Sequence, residues 1–212
     1  MIKNLKEGIK YYDNFANVYD FFSPKWYYHK ARKYAVEQLA LQDGSTAINL
    51  PCGTGQNFEY FQKYMNNSGL IIGIDLSKGM LEKAKEKVNK NNWKNIHIVK
   101  EDAKNINVTW LTKQYDNTQN IDAILCDLGL SGFPDWKEVI DNLYEILAPR
   151  GRLVIMDWYL PRPTLRGKLI KWIGKGEVDR PIYQYLQSKS NDFNVETSFN
   201  REGVFVATVI KS

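Results

Sequence analysis

The stretch Thr46-Ala-Ile-Asn-Leu-Pro-Cys-Gly-Thr-Gly55, with Leu70-Ile-Ile-Gly-Ile-Asp75 following a short way on, constrains the fold more than any other part of the chain. An apolar run that stops at a Gly-x-Gly turn, a helical stretch, and a second apolar run ending in a carboxylate together describe the nucleotide-binding end of a βαβ unit. A ligand carrying a ribose is expected there, with Asp75 placed to accept hydrogen bonds from both ribose hydroxyls.

The turn narrows the choice of ligand. A dinucleotide fold needs a third glycine three residues after the second, so that the helix packs closely and its N-terminus meets the pyrophosphate. Here that position is Phe58. Two glycines still let a backbone approach a ribose ligand that lacks a pyrophosphate, and S-adenosylmethionine meets that description.

On these residues the chain resembles the class I S-adenosylmethionine-dependent methyltransferases. The resemblance covers roughly 39–158 and the last two strands. It rests on five landmarks in the family's order: Cys52-Gly53-Thr54-Gly55; Gly73-Ile74-Asp75-Leu76-Ser77 with Met80 after it; Glu101-Asp102-Ala103; Asp127; and Leu147-Ala148-Pro149-Arg150-Gly151-Arg152-Leu153. It implies S-adenosyl-L-methionine as cofactor and S-adenosyl-L-homocysteine as product. The implied fold is α/β, a Rossmann-like doubly wound sheet of seven strands, mostly parallel with an antiparallel C-terminal hairpin strand.

Residue by residue, the resemblance implies cofactor contacts from Asn49, Pro51, Cys52, Gly53 and Gly55 in the loop, and from Asp75 and Leu76 at the ribose. Met80 would lie against the adenine, Asp102 would take its amino group and Ala103 would add a backbone contact. Asp127 would face the transferring methyl and orient or deprotonate an acceptor. The alternatives are helix caps for Asp75 and Asp102, plain core for Met80 and a turn residue for Asp127. Two positions depart from the family pattern, which usually has an acidic residue at Asn49 and a glycine at Pro51. The Asn49 amide can accept and donate but brings no charge to the ligand's ammonium, and Pro51 fixes its own φ and removes an N–H.

A chain of 212 residues, 43% of them hydrophobic, suffices for one α/β domain and leaves little room for a second. The expected division is an N-terminal helical lid over 1–42, a cofactor-binding core over 43–158, a substrate cover over 159–190 and a terminal hairpin over 191–212. The segment from Met1 has no apolar run fit for a signal peptide, and no stretch approaches the eighteen or so apolar residues needed to span a bilayer. A cytoplasmic location is expected. Cys52 and Cys126 are too few for a disulfide framework, and His29 and His97 lack metal-ligand companions, so no metal is expected. In the family's strand order both cysteines end neighbouring strands, which makes them either a close pair near the cofactor or two separate buried thiols.

Residues 8–22 carry Tyr11, Tyr12, Phe15, Tyr19, Phe21 and Phe22 with Asp13 and Asp20, and read as a helical lid. A helix follows from Pro24, with Ser23 as its cap, to Leu41. Further helices are expected at 56–65 and 78–89, and strands at 46–50, 70–75, 95–100, 121–126 and 152–157, an alternation that argues for a parallel sheet covered on both faces. Phe193–Ser198 and Gly203–Ile210 read as a hairpin turned at Asn200. Tyr11, Tyr12, Tyr19 and His29 are candidates for the acceptor pocket, with ordinary helix packing as the alternative for each.

Between Tyr159 and Ser190, helical spacing puts Leu165, Leu169, Trp172 and Ile173 on one face and Lys168, Lys171 and Lys175 on the other. This segment is either a cover helix with its apolar face on the sheet and its lysines solvated, or a surface over 164–175 that meets an anionic or lipid-like substrate or a bilayer interface. The net charge of +5 permits a nucleic-acid partner. Much of the lysine, however, belongs to the alternating Lys/Glu run of 78–104, typical of a solvated face. Nor does the segment after Asp127 carry the Asn/Asp-Pro-Pro-aromatic motif of many nucleic-acid amino methyltransferases.

The expected activity is in-line methyl transfer to a small or lipid-like acceptor, a reaction in which much of the catalysis comes from positioning. Scattered residues are weakly similar to methyltransferases of quinones and phospholipid headgroups. An RNA methyltransferase, or a non-catalytic S-adenosylmethionine-binding module supported by Asn49 and Pro51, are the alternatives.

Overall fold

The computed structural model describes residues 5–115 and 120–212, and excludes the side chains of 5–9, Phe15, Val18 and Phe22. The reading of the N-terminal segment from Met1, and the parts given to Phe15 and Phe22 in the aromatic segment, therefore lie outside the described residues. Seven strands form one sheet: β1 (Thr46–Asn49), β2 (Leu70–Asp75), β3 (Ile96–Lys100), β4 (Ile121–Asp127), β5 (Leu147–Trp158), β6 (Phe193–Ser198) and β7 (Val204–Ile210). Their order is β3-β2-β1-β4-β5-β7-β6. The first five are parallel, while β7 runs antiparallel to both β5 and β6.

The strands are rich in β-branched residues that alternate between two apolar cores, as a sheet covered on both faces requires. Ala47, Ile71, Leu125, Val154, Met156 and Val206 point to one core, beneath α2 (Lys25–Gln38), α3 (Phe58–Met65) and α4 (Lys78–Lys90). Ile48, Ile72, Ile124, Leu153, Ile155 and Phe205 point to the other, covered by α6 (Trp136–Glu145) and α8 (Ile182–Gln187), with Trp110 of α5 (Val108–Gln114). The two cysteines divide the same way: Cys52 packs in the first core and Cys126 in the second. They are separate buried thiols, and burial pushes both above the usual thiol range.

Some boundaries moved. The helix expected from Pro24 to Leu41 stops at Gln38, and its N-cap position is Pro24, without a side-chain cap from Ser23. Strand β5 begins five residues earlier than its apolar run because Leu147 already pairs with Ile121, ahead of a register shift. A turn of the chain at Asn200, Arg201 and Glu202, all with φ between 50° and 58°, joins β6 to β7 as α9 (Phe199–Glu202). No helix among the described residues is long and apolar enough to cross a membrane.

Two further helices close the carboxyl edge of the sheet. Helix α1 (Leu5–Phe22) packs against α4, and α7 (Leu165–Gly174) follows β5.

Candidate active site

In a parallel sheet the carboxyl ends of the strands, at the point where strand order reverses, form the ligand crevice. Here that point lies between β1 and β4. Gly53 and Gly55 take φ of +54° and +75° in the loop after β1, a region that favours glycine. Space beside Gly53 is open, whereas a Cβ on Gly55 or Gly73 would come within 2.7 Å or 2.6 Å of the Phe58 ring. Phe58, fully buried, thus fills the place where a dinucleotide fold would keep glycine and close helix packing.

Asp75 braces this loop. Its Oδ2 accepts from the Gly53 N–H at 2.9 Å and its Oδ1 from the Ser77 N–H at 2.9 Å. Burial raises its carboxyl to about 6, against the opposing pull of those N–H groups. Ser77 in turn caps α4 by accepting from the Met80 N–H, which fixes Met80, 2% exposed, in the first turn. Asp102 accepts from the Lys104 N–H and so caps the short turn that holds the buried Ala103. Leu76 is half-buried beside Asp75.

Asp127 stands at the end of β4, and its surroundings are polar, buried and ordered. Its Oδ2 accepts from Arg32 Nε at 2.7 Å and from Asn57 Nδ2 at 2.9 Å. The side chains of Arg32 and Asp127 are 3% and 4% exposed. Burial alone would lower the Arg32 pKa, but the charge and hydrogen bond of Asp127, together with Tyr19 and Tyr28, outweigh it and the net shift is upward. Arg32 also donates to Gln56 Oε1. A carboxylate held by a buried guanidinium is a strong anchor, and its Oδ2 is already engaged by two donors.

Three acceptors face this point without a hydrogen-bond partner among the described residues: Asn49 Oδ1, Asn57 Oδ1 and Asp127 Oδ1, all buried. Buried acceptors are ordinarily satisfied. Three of them at the crevice suit the ammonium of an amino-acid ligand, a group with three N–H donors. Pro51 leads into the loop and packs so closely on the segment after β4 that a Cβ on Gly129 would lie 2.2 Å from its Cδ. Together, the open space at Gly53, the Asp75 brace and the orphaned acceptors fit S-adenosylmethionine.

Helix α1 closes over this edge through two carboxylates. Asp13 accepts from Ser77 Oγ at 2.7 Å and from the Gly79 N–H at 3.0 Å, and these bonds lower its carboxyl although burial opposes them. Asp20 accepts from Thr54 Oγ1 and Gln56 Nε2, each at 2.6 Å. Gln56 therefore links the lid to Arg32 and Asp127.

Beside the cofactor edge lies a cavity of about 110 Å³ whose walls include Tyr12, Tyr19, Tyr28, Trp158, Ile170 and Ile173. Burial raises the phenols of Tyr12, Tyr28 and Tyr19, the last to about 12, so all three are neutral hydroxyl groups at physiological pH. The Asp75 charge adds to the rise at both Tyr12 and Tyr19. The roof is α7, whose C-terminal carbonyls are held by α1: Tyr11 donates to Ile173 O at 2.8 Å and Tyr12 to Gly174 O at 2.6 Å.

The structure brings Tyr12 and Tyr19 to the cavity and leaves Tyr11 as a strut outside it. His29 is elsewhere, on an exposed face of α2, where its Nδ1 shares a 2.8 Å hydrogen bond with Tyr60. Sequence reading missed Arg32, Asn57, Gln56, Tyr28 and Trp158. For Arg32 there was a signal: it shares the buried stripe of α2 with Tyr28, Ala31, Ala35 and Val36, and a lone arginine on such a stripe demands a buried partner.

Comparison with known proteins agrees with this geometry. Residues 41–189 match the family model described as a methyltransferase domain, and the chain belongs to that family. It is 27% identical over 177 residues to the demethylmenaquinone methyltransferase of Oceanobacillus iheyensis, covering 78% of this chain and 70% of that one. A SAM-dependent methyltransferase from Aquifex aeolicus superposes with a TM-score of 0.61 at 19% identity, over 85% of this chain and 89% of that one. The Haemonchus contortus phosphoethanolamine N-methyltransferase 2, solved with S-adenosylhomocysteine, has a TM-score of 0.72 at 14% identity, over 100% of this chain and 60% of that one. The protein is a SAM-dependent methyltransferase of Rossmann-like fold.

Proposed function

We propose that this chain binds S-adenosylmethionine at the Gly53–Asp75–Asp102 edge and methylates a flat, apolar, lipid-borne acceptor of the quinone type. The observation that carries the reading is the aromatic cavity against that edge, walled by Tyr12, Tyr19, Tyr28 and Trp158. Such rings stack on a planar acceptor, and neutral phenols can donate to its oxygens. The similarity to demethylmenaquinone methyltransferases supports it.

The cofactor, when bound, supplies a methyl on a positively charged sulfur. The chain's own residues position. Asp75 and Leu76 would meet the ribose, Met80 and Ala103 would flank the adenine, Asp102 would take its amino group, and Gly53 and Gly55, after Pro51 and Cys52, would admit the ligand backbone. Asn49, Asn57 and Asp127 offer their unpartnered oxygens to the ammonium. Asp127 thus serves as an orienting group, with Arg32 holding its charge in place, and proton removal from the acceptor falls to another group or to water. Excluding water is the task of α1 and α7.

The test is a labelling experiment. Purified protein is incubated with methyl-labelled S-adenosylmethionine and, separately, a short-chain demethylated naphthoquinol, phosphoethanolamine and total RNA. Label in the quinol alone is expected. Label in RNA or phosphoethanolamine would replace the acceptor class, and cofactor binding without label in any fraction would favour a non-catalytic module.

A further inference from the structure

The cover-helix reading of 164–175, with its apolar face on the sheet, does not survive the structure. Helix α7 is turned so that Gly167, Ile170 and Ile173 face inward, while Leu165, Leu169 and Trp172 are 86%, 56% and 68% exposed. These three stand at i, i+4 and i+7, one face of a helix. The cause is tertiary: Thr164 caps the first turn by accepting from the Gly167 N–H, and the Tyr11 and Tyr12 hydroxyls of α1 hold the last carbonyls and with them the rotation.

The exposed stripe lies in a basic frame. Between 162 and 175 the chain carries Arg162, Arg166, Lys168, Lys171 and Lys175 and no acidic residue. None of these five forms an ion pair with a carboxylate among the described residues. The Lys175 ammonium lies 5.5 Å from the centre of the Trp172 ring and 5.1 Å from that of Tyr11. Arg166 is turned inward, donating to Tyr27 and to the Asn200 and Arg201 carbonyls, but exposed leucine and tryptophan flanked by Arg162, Lys168 and Lys171 match a surface that is apolar beneath and anionic on top. That is the chemistry of an anionic bilayer, in which tryptophan sits at the headgroup level.

We infer that the outer face of α7 docks on an anionic lipid bilayer while its inner face roofs the acceptor cavity. This rests on the lipid-borne acceptor for its purpose: one helix, roughly 10 Å across, separates the membrane surface from the cavity. A lipid-borne headgroup then needs to travel only that far to reach the transferring methyl. The Tyr11 and Tyr12 bonds are the contacts that would have to yield, or tilt, to admit it.

The experiment uses no acceptor, so its failure is distinguishable from failure of the quinone reading. The full chain is sedimented with vesicles of phosphatidylglycerol and phosphatidylcholine, and with phosphatidylcholine alone. Binding to the anionic vesicles at low salt is expected, falling steeply at 1 M salt, where the screening length is about 3 Å. Lys168→Gln with Lys171→Gln should weaken it about 25-fold, since each cation near such a surface is worth about five-fold. Leu169→Ser with Trp172→Ser should remove it, with the cofactor affinity and the melting temperature kept as proof of folding. Absence of wild-type binding at low salt, or unchanged binding of the serine variant, overturns the inference. So does a dimer in sedimentation velocity that the serine variant dissolves, because the stripe would then be covered by a second copy of the chain.

Discussion

The two sides of the crevice are held together by different means. The cofactor edge is a chain of charged and backbone hydrogen bonds: Asp13 to Ser77 and Gly79, Asp75 to Gly53 and Ser77, Asp20 to Thr54 and Gln56, Arg32 to Gln56 and Asp127. The acceptor roof hangs on two tyrosine hydroxyls, a few apolar contacts and the Arg166 guanidinium, which donates to Tyr27 and to the carbonyls of Asn200 and Arg201. The contrast teaches where rigidity is needed. Under the proposed function, a charged cofactor with many polar groups requires fixed donors and acceptors, whereas an apolar acceptor entering from outside requires a roof that can part from the sheet without unfolding it.

Four experiments would break or sharpen this contrast. The largest effect is expected at the buried ion pair. Arg32→Met leaves Asp127 charged and unpaired, which should cost about 3–5 kcal/mol of stability in denaturant unfolding, whereas Arg32→Met with Asp127→Leu should recover most of it. If the single variant costs no more than the double, the pair is not what stiffens the cofactor side.

Next is pH. Asp157, fully buried at the end of β5, accepts from the Ser131 and Trp158 N–H groups, yet burial still raises its carboxyl to about 6. A carboxyl with a raised native pKa binds its proton more tightly folded than unfolded. Its stabilising contribution is therefore complete below about pH 4 and lost as pH climbs through 6. Unfolding free energies at pH 4 and pH 7 should differ between the protein and Asp157→Asn by on the order of 2–3 kcal/mol, the wild type losing more on the way up. Equal slopes would remove Asp157 as a titrating group.

Asp75→Ala comes third. Removing the ribose acceptor and the brace on Gly53 should weaken S-adenosylmethionine binding by roughly 1.5–3 kcal/mol in calorimetry. Unchanged affinity would end the assignment. The smallest effect is expected at the roof. Tyr11→Phe with Tyr12→Phe removes two hydrogen bonds of about 0.5–1.5 kcal/mol each. Protease cleavage within 159–176 should quicken and the acceptor KM should rise, with cofactor affinity unmoved. A matching loss of cofactor affinity would mean that the two sides are not independent.

The loop of Gly53 and Gly55 and its brace at Asp75 were legible in advance because they lie at the ends of adjoining strands and are constrained by backbone conformation. Gly53, Gly55 and Asp75 must stand where they do for a strand to end, turn and be answered by the next strand. Such local demands leave a linear trace, and the alternating apolar runs gave the seven strands the same way. The network behind it left almost none: Arg32, Asn57 and Asp127 meet only because α2, α3 and β4 converge on one point of the crevice, and no spacing along the chain encodes that meeting.

Helix α7 marks the boundary most clearly. The sequence by itself determined that 165–174 would be an amphipathic helix, because the 3.6-residue period fixes which side chains are neighbours, although Ile173, expected beside Leu165, Leu169 and Trp172, turns inward to the cavity while those three are exposed. Which face turns inward was decided by contacts with the cavity walls and with Tyr11 and Tyr12, the last two more than a hundred residues away along the chain. Periodicity specifies the stripe and is silent about rotation, since rotating a helix about its axis changes no local interaction, only what the stripe meets.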